Sequence, residues 1–280
     1  MDPDLLLVTC SAMPEGEPGH AALDTALAAA GVSARWVCWD DPGVDWGSAL
    51  VAVRSTWDYD ARRPEFTAWA ASVPRLLNGA AVFAWNTDKA YLAELAAAGL
   101  PVVPTVVADA VGELPAAIAL HAPAVVKPRV GAGGRGVVVV EGPDTFDPDL
   151  LGPGPWVVQP LVSSVRTEGE TSVFVLGGEP VSMVRKLPAG EEIRVHEVYG
   201  GTTLAVVPTQ EAGGLARRTV DVAERILGTP LHYARADLMR LADGTLAISE
   251  LEVTEPGLYL EELPENGAAF AGLVRRLLDA

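Results

Sequence analysis

The stretch Ala124-Val-Val-Lys-Pro-Arg-Val-Gly-Ala-Gly-Gly-Arg-Gly-Val-Val-Val-Val140 decides how the chain is read. Two valine-rich runs suited to strands enclose a loop with glycines at 131, 133, 134 and 136, whose backbone amides can approach an anion. Lys127 ends the first run directly before the loop, where a charged side chain is partly desolvated unless an anion partners it. Phosphate is such an anion. The loop is not a Walker-type loop, since no Gly-Lys-Ser/Thr follows, nor a dinucleotide fingerprint, since a strand and not a helix comes next.

The other basic residues sharpen this reading. Of 20 Lys and Arg residues only Lys89, Lys127 and Lys186 are lysines. Lys186 ends the apolar run Val181-Ser-Met-Val-Arg-Lys186, and Lys89 falls in the first turn of a helix expected over Thr87–Ala98 with Asn86 as its N-cap. A cation there opposes the helix macrodipole, and a neighbouring anion reverses the sign.

A second constellation is acidic. Tyr233–Arg240 and Thr245–Glu252 flank Asp243-Gly244, a two-residue hairpin signal. Pairing Ala242 with Thr245 sets Asp237 opposite Glu250 and Arg235 opposite Glu252, on one face. Opposed carboxylates repel unless a cation intervenes, and magnesium with its preference for oxygen ligands suits that place.

Around these two features the first third alternates strand-like runs (Leu5–Val8, Ala34–Trp39, Ala49–Val53) with helical patterns at His20–Ala30 and Pro64–Val73, then a further apolar run at Ala81–Trp85; this predicts a parallel sheet flanked by helices. Strands dominate afterwards, including Arg135–Val140, Thr171–Leu176, Arg194–Val198 and Thr202–Val207, with helices at Glu211–Leu227 and Pro264–Leu278. A composition that is 49% hydrophobic allows a sizeable core. No apolar run reaches the roughly 20 residues of a membrane helix. Asp2 and Asp4 stand where a secretory signal carries positive charge, so a cytoplasmic location is expected. The net charge of −17 argues against nucleic acid. Cys10 and Cys38 read as free thiols.

Together these residues resemble the ATP-grasp superfamily of carboxylate-amine ligases, specifically from about Trp85 onwards and more loosely before it. Within it, phrases such as Val53-Arg-Ser-Thr-Trp-Asp-Tyr59, Trp85-Asn-Thr-Asp-Lys-Ala-Tyr-Leu92 and Glu250-Leu-Glu-Val-Thr-Glu-Pro256 are most similar to the cyclo-ligases that close the cycloserine ring. The resemblance implies a mixed α/β and α+β fold in three parts: an N-terminal α/β substrate domain (1–86), a small subdomain carrying the glycine lid (87–162) and a C-terminal subdomain with the metal site (163–280). It implies ATP as co-substrate with Mg2+, two ions being expected and Mn2+ an acceptable substitute. Lys89, Lys127 and Arg129 would hold phosphates under the lid Gly131, Gly133, Gly134 and Gly136. Gln159, Leu161 and Val162 would meet adenine and Glu170 the ribose, although Gln159 departs from the acid often found in that hinge.

The same resemblance puts Asp237, Glu250 and Glu252 on metal-ligand positions, with Glu252 where many relatives carry Asn. Arg235 and the backbone at Gly257 would stabilise the oxyanion of the reacting acyl group, Lys186 would share the phosphate oxygens with Lys89 and Lys127, and Arg194 would meet phosphate or substrate; Arg54, after the strand Ala49–Val53, with Ser55, His196, Gly200 and Gly201 are the candidates for the substrate. The expected partner is a small-molecule carboxylate with an amine nucleophile; homo-oligomerisation stays open. A non-catalytic ATP-binding module and a small-molecule kinase are the competing readings.

Overall fold

In this computed structural model, which describes residues 2–280, the strands fall into three sheets. The first is parallel and consists of β1 (Leu5–Thr9), β2 (Ala34–Cys38) and β3 (Leu50–Ser55), with β1 in the middle. Every residue of β1 and β3 is buried, as befits parallel strands covered on both faces. The second sheet is antiparallel: β4 (Val106–Ala108), β5 (Ala124–Pro128), β6 (Val138–Val140) and β7 (Trp156–Pro160), in the order β4-β7-β5-β6. The third, also antiparallel, orders β8 (Glu170–Leu176), β9 (Glu179–Leu187), β10 (Thr202–Val206), β11 (Tyr233–Arg240) and β12 (Leu246–Glu252) as β10-β9-β8-β11-β12.

The helices are α1 (His20–Ala29), α2 (Arg63–Ser72), α3 (Ala80–Asn86), α4 (Tyr91–Ala97), α5 (Leu114–His121), α6 (Gln210–Leu227) and α7 (Glu265–Asp279). Three sequence expectations need correction here. The apolar run Ala81–Trp85 lies in α3, and Asn86 ends that helix instead of capping the next, which starts at Tyr91. The Asn86 amide has stronger demands on it: it donates to the Leu251 carbonyl (2.6 Å) and accepts from the Val253 amide (3.0 Å) and the Thr254 hydroxyl (3.1 Å). Arg194–Val198 is not a strand but runs into a single 3-10 turn, Glu197–Tyr199, while the strand expected from Arg135 begins only at Val138, once the glycines have ended.

The β11–β12 hairpin departs from expectation in two places that cancel. Its loop has three residues, Ala242–Gly244, closed by Leu241 N–H to Thr245 O (2.8 Å) with Gly244 at φ +84°; the left-handed glycine is the usual ending of such loops. This shifts the outer pairing to Leu238 opposite Ile248. A bulge then leaves Ser249 unpaired and restores Asp237 opposite Glu250 and Arg235 opposite Glu252. The extra residue turns Ile248 into the core and Glu250 to the other face.

The parallel sheet and the five-stranded sheet share their core: Leu6, Val8, Val51 and Val53 belong to one apolar cluster with Val173, Ala236 and Leu238. Leu5 and Leu7 join Phe174, Tyr233 and Phe270 of α7 in another. The four-stranded sheet packs against α5 and its own loops, around Ala108, Ile118, Ala124, Val126 and Val158. The chain therefore folds as a large body with a smaller one beside it. Between them lie the end of β5, the residues before α4 and the polar face of the hairpin. Among the described residues no helix is long and apolar enough to cross a membrane.

Candidate active site

All three lysines meet the acidic hairpin. Lys89 is carried to the end of β5 by its own amide, which donates to the Arg129 carbonyl (2.9 Å). Its ammonium donates to the Gly131 carbonyl (2.7 Å) and pairs with Glu250 (2.9 Å). Burial works against that ammonium, but Glu250 outweighs it and the pKa of Lys89 is raised. Lys127 differs. It forms no ion pair or hydrogen bond with any described residue; burial lowers its pKa, with Glu250 acting against the shift. Lys186 stands across from Glu170 in the β8–β9 register and contacts Glu170 (2.6 Å) and Asp237 (3.4 Å).

Each carboxylate is met by a cation of the protein. Asp237 receives both arms of Arg235 (2.9 and 2.8 Å), the Lys186 ammonium and the Ser172 hydroxyl (2.6 Å). Burial alone would raise its pKa; Arg235 and Lys186 drive it far down instead. Glu252 also pairs with Arg235, yet burial and the neighbouring Asp237 and Glu250 charges push its pKa up to about 7. Glu255, which the sequence reading gave no task, is buried beside them and reaches about 8, by burial first and Glu252 second.

Among the described residues no three Asp, Glu, His or Cys side chains, Asp237, Glu250 and Glu252 included, stand close enough to hold a metal by themselves. Asp237 is saturated by protein donors and its side chain is 4% exposed, whereas Glu250 and Glu252 keep 29% and 23%. Magnesium is commonly bound by one or two carboxylates completed by phosphate and water. Glu250 and Glu252 supply that many, and the partnerless Lys127 opposite supplies the counter-charge for a phosphate, so these residues fit a magnesium-nucleotide.

The glycine loop roofs this cluster. Gly133, Gly134 and Gly136 have φ of +60°, +70° and +71°, which L-residues rarely adopt, and a Cβ on Gly134 would press on Tyr199 at 3.2 Å. Arg135 at the loop's end donates to Asp60 (2.6 Å) and to the Trp57 carbonyl (3.1 Å), tying the smaller body to the parallel-sheet region. Arg194 stacks on Tyr199 (3.6 Å) and pairs with Glu192 (2.5 Å), placing its loop against the lid.

Several expected site residues lie elsewhere or are occupied. Arg54 is fully buried: it pairs with Glu17 (3.2 Å), donates to the Pro256 carbonyl and faces the rings of Tyr233 and Phe270, so it cannot receive a substrate. Ser55 is equally buried and bonded to Thr9 (2.7 Å). Arg129 turns away to Asp88 (2.8 and 2.7 Å) and Asp109. His196 caps its own turn by accepting from the Val198 amide (3.2 Å), Gly200 provides the left-handed residue that ends it, and Gly201 packs against the Val195 carbonyl. Leu161 donates its amide to Pro123 (2.8 Å), the Val162 carbonyl accepts from Val165 (3.1 Å), and Gln159 is buried and bonded to Thr105 (2.8 Å). Glu170 is engaged by Lys186 and by Ser249 (3.1 Å). Gly257 lies against Trp57, and the amide after it, that of Leu258, donates to Glu17 (2.6 Å). Glu17 lies in a turn without periodicity, and its buried ion pair with Arg54 of β3, 37 residues on, leaves no local pattern.

A glycine-roofed cleft between a small antiparallel sheet and a larger one, with lysines facing an acidic hairpin, is the architecture of a nucleotide-dependent ligase. Residues 89–232 match the ATP-grasp domain of prokaryotic glutathione synthetase, and the chain belongs to the ATP-grasp ligases, enzymes that form C–N bonds. Residues 5–78 match the N-terminal domain of D-cycloserine synthetase DcsG. The chain is 32% identical to the cycloserine biosynthesis protein DcsG of Streptomyces lavendulae over 269 residues, covering 88% of this chain and 90% of that protein. The crystal structure of D-cycloserine synthetase DcsG superposes with a TM-score of 0.84 at 29% identity, over 98% of this chain and 99% of that one. The ATP-grasp ligase PsnB, at 16% identity and a TM-score of 0.68 over the whole of both chains, shares the fold.

Proposed function

We propose that this ligase activates the carboxylate of a small amino-acid-like substrate as an acyl phosphate and passes the acyl group to a nitrogen of the same molecule, releasing ADP and phosphate. The similarity to DcsG along both halves of the chain supports ring closure and a place in antibiotic biosynthesis. The observation that carries the phosphoryl chemistry is Lys127: a half-buried ammonium with no ion-pair or hydrogen-bond partner among the described residues, beside the glycine loop and facing Glu250. Bound ATP supplies the phosphoryl group, and one or two Mg2+ ions, or Mn2+ in their stead, spread its charge.

The protein's own residues align and neutralise. Lys127 and Lys89 would hold phosphate oxygens from the lid side, and Glu250 and Glu252 would hold the magnesium that spreads the phosphate charge. Asp237 keeps Lys186 and Arg235 in place at the acyl end, where Arg235 balances the charge of the activated carboxylate and of the intermediate that follows. The lid excludes water that would hydrolyse the acyl phosphate. Three units share the work: 1–86 bounds the substrate, 87–162 carries the lid, and 163–280 carries the hairpin. The reaction takes place in the cytoplasm. The test is ADP release over a panel of amino acids and their O-substituted derivatives, with mass spectrometry of the products. A product lighter than its substrate by one water, formed with one ADP, supports the reading, and a stable phosphorylated product replaces it with a kinase.

A further inference from the structure

Two residues beyond Gly257, Tyr259 has φ +51°, a left-handed backbone that tyrosine visits rarely because its Cβ crowds the following carbonyl. Asn78, the other described non-glycine residue with positive φ, is of a type that tolerates this geometry, and its amide links the Tyr233 and Val253 carbonyls to the His232 amide. Glycine at 259 would have no such crowding, so a tyrosine held there points to a use for its side chain.

That side chain is placed at the acyl end of the cleft. Its ring centroid lies 5.8 Å from the Lys186 ammonium and 5.6 Å from the Arg235 guanidinium, with Phe174 edge-on behind it at 6.0 Å. The hydroxyls of Tyr91 and Tyr233 are bonded to backbone, accepting from the Leu251 amide and donating to the Thr254 carbonyl. The Tyr259 hydroxyl bonds to no described residue, although its side chain is half-buried. Lys186 and Arg235, each already shared with carboxylates of the protein, an aromatic ring and an O–H donor without a partner among the described residues thus share one corner, and a substrate carboxylate there would take the O–H within reach of both cations.

We infer that Tyr259 contacts the substrate, its ring walling the site beside Lys186 and Arg235 and its hydroxyl donating a hydrogen bond to the carboxylate that is activated. This rests on the ligase reading and adds a residue that selects the acid. Phenylalanine keeps the ring, its volume and the backbone, so Tyr259→Phe removes only the donor. With the acid that gives the greatest acid-dependent ADP release in the panel, Tyr259→Phe raises KM for that acid by about tenfold or more, the loss of a hydrogen bond to a charged group. KM for ATP and the melting temperature stay as in the wild type. An unchanged KM for the acid, or an equal rise in both KM values, overturns the inference while leaving the ligase standing. A wild-type enzyme without acid-dependent ADP release removes both.

Discussion

Lys127 stands near the end of the partly buried strand β5 with no ion-pair partner among the described residues, so its replacement separates function from stability. Lys127→Met should abolish acid-dependent ADP release while the melting temperature holds or rises, since an unpaired, desolvated ammonium is a cost to the fold. Arg54 is the opposite case. Removing it leaves Glu17 buried without its cation, and Arg54→Ala should lower stability by about 3–5 kcal/mol in denaturant titrations, as breaking a buried pair does.

Glu252 and Glu255 make the free enzyme sensitive to pH. Burial raises them to about 7 and about 8 from the ordinary carboxylate value of 4.5. The folded state therefore holds protons that the unfolded chain releases, and stability declines as pH climbs from the unfolded value through the folded ones. Asp237 and Glu250, shifted down by their cations, act in the other direction and only at more acid pH. The melting temperature of nucleotide-free enzyme should fall between roughly pH 5.5 and 8, and Glu255→Gln should flatten that fall; an unaltered slope in the variant would refute the assignment.

At the scale of elements, the acidic hairpin shows what can be read from sequence and what cannot. Its strands follow from alternation, whereas the pairing of Asp237 with Glu250, expected from a two-residue turn, holds because the longer loop and the bulge cancel. The bulge went unread, although its signal was legible: apolar Leu246 and Ile248 keep a period of two that breaks before Leu251 and Val253. The three-residue loop was not, since Asp-Gly serves two loop lengths equally. Asn86 misled for a related reason: a short polar residue before a helical pattern suits an N-cap, while its tertiary bonds to β12 depend on contacts 165 to 168 residues away. Those bonds make Asn86 a clamp on the strand that presents Glu250 and Glu252. Asn86→Ala leaves a carbonyl and an amide unpaired and should cost about 2–3 kcal/mol by equilibrium unfolding.

For the molecule as a whole, a chain with a net charge of −17 holds a cleft where every one of its lysines converges. That convergence was foreshadowed by the rarity of lysine and by its positions at the ends of apolar runs. The three sheets follow the alternation patterns, but the shared core of the first and third does not, because which apolar faces meet is decided by packing between distant segments. Substrate-side residues were the least legible: Arg54 sits at a strand end that suits a ligand in open α/β sheets, yet here the third sheet and α7 cover it. The loops that do reach the cleft, around Tyr199 and Tyr259, carry no periodic signal.

The central claim is that Lys127 beneath the glycine lid and Glu250 on the hairpin hold one magnesium-nucleotide between them. Calorimetric titration of Mg-ATP into wild type, Lys127→Met, Glu250→Gln and the double variant tests this directly. The account predicts that each single change weakens binding by tenfold or more, on the order of 1.4 kcal/mol, and that the double variant loses much less than the product of the two. Binding unchanged in either single variant, or losses that multiply independently, would contradict it.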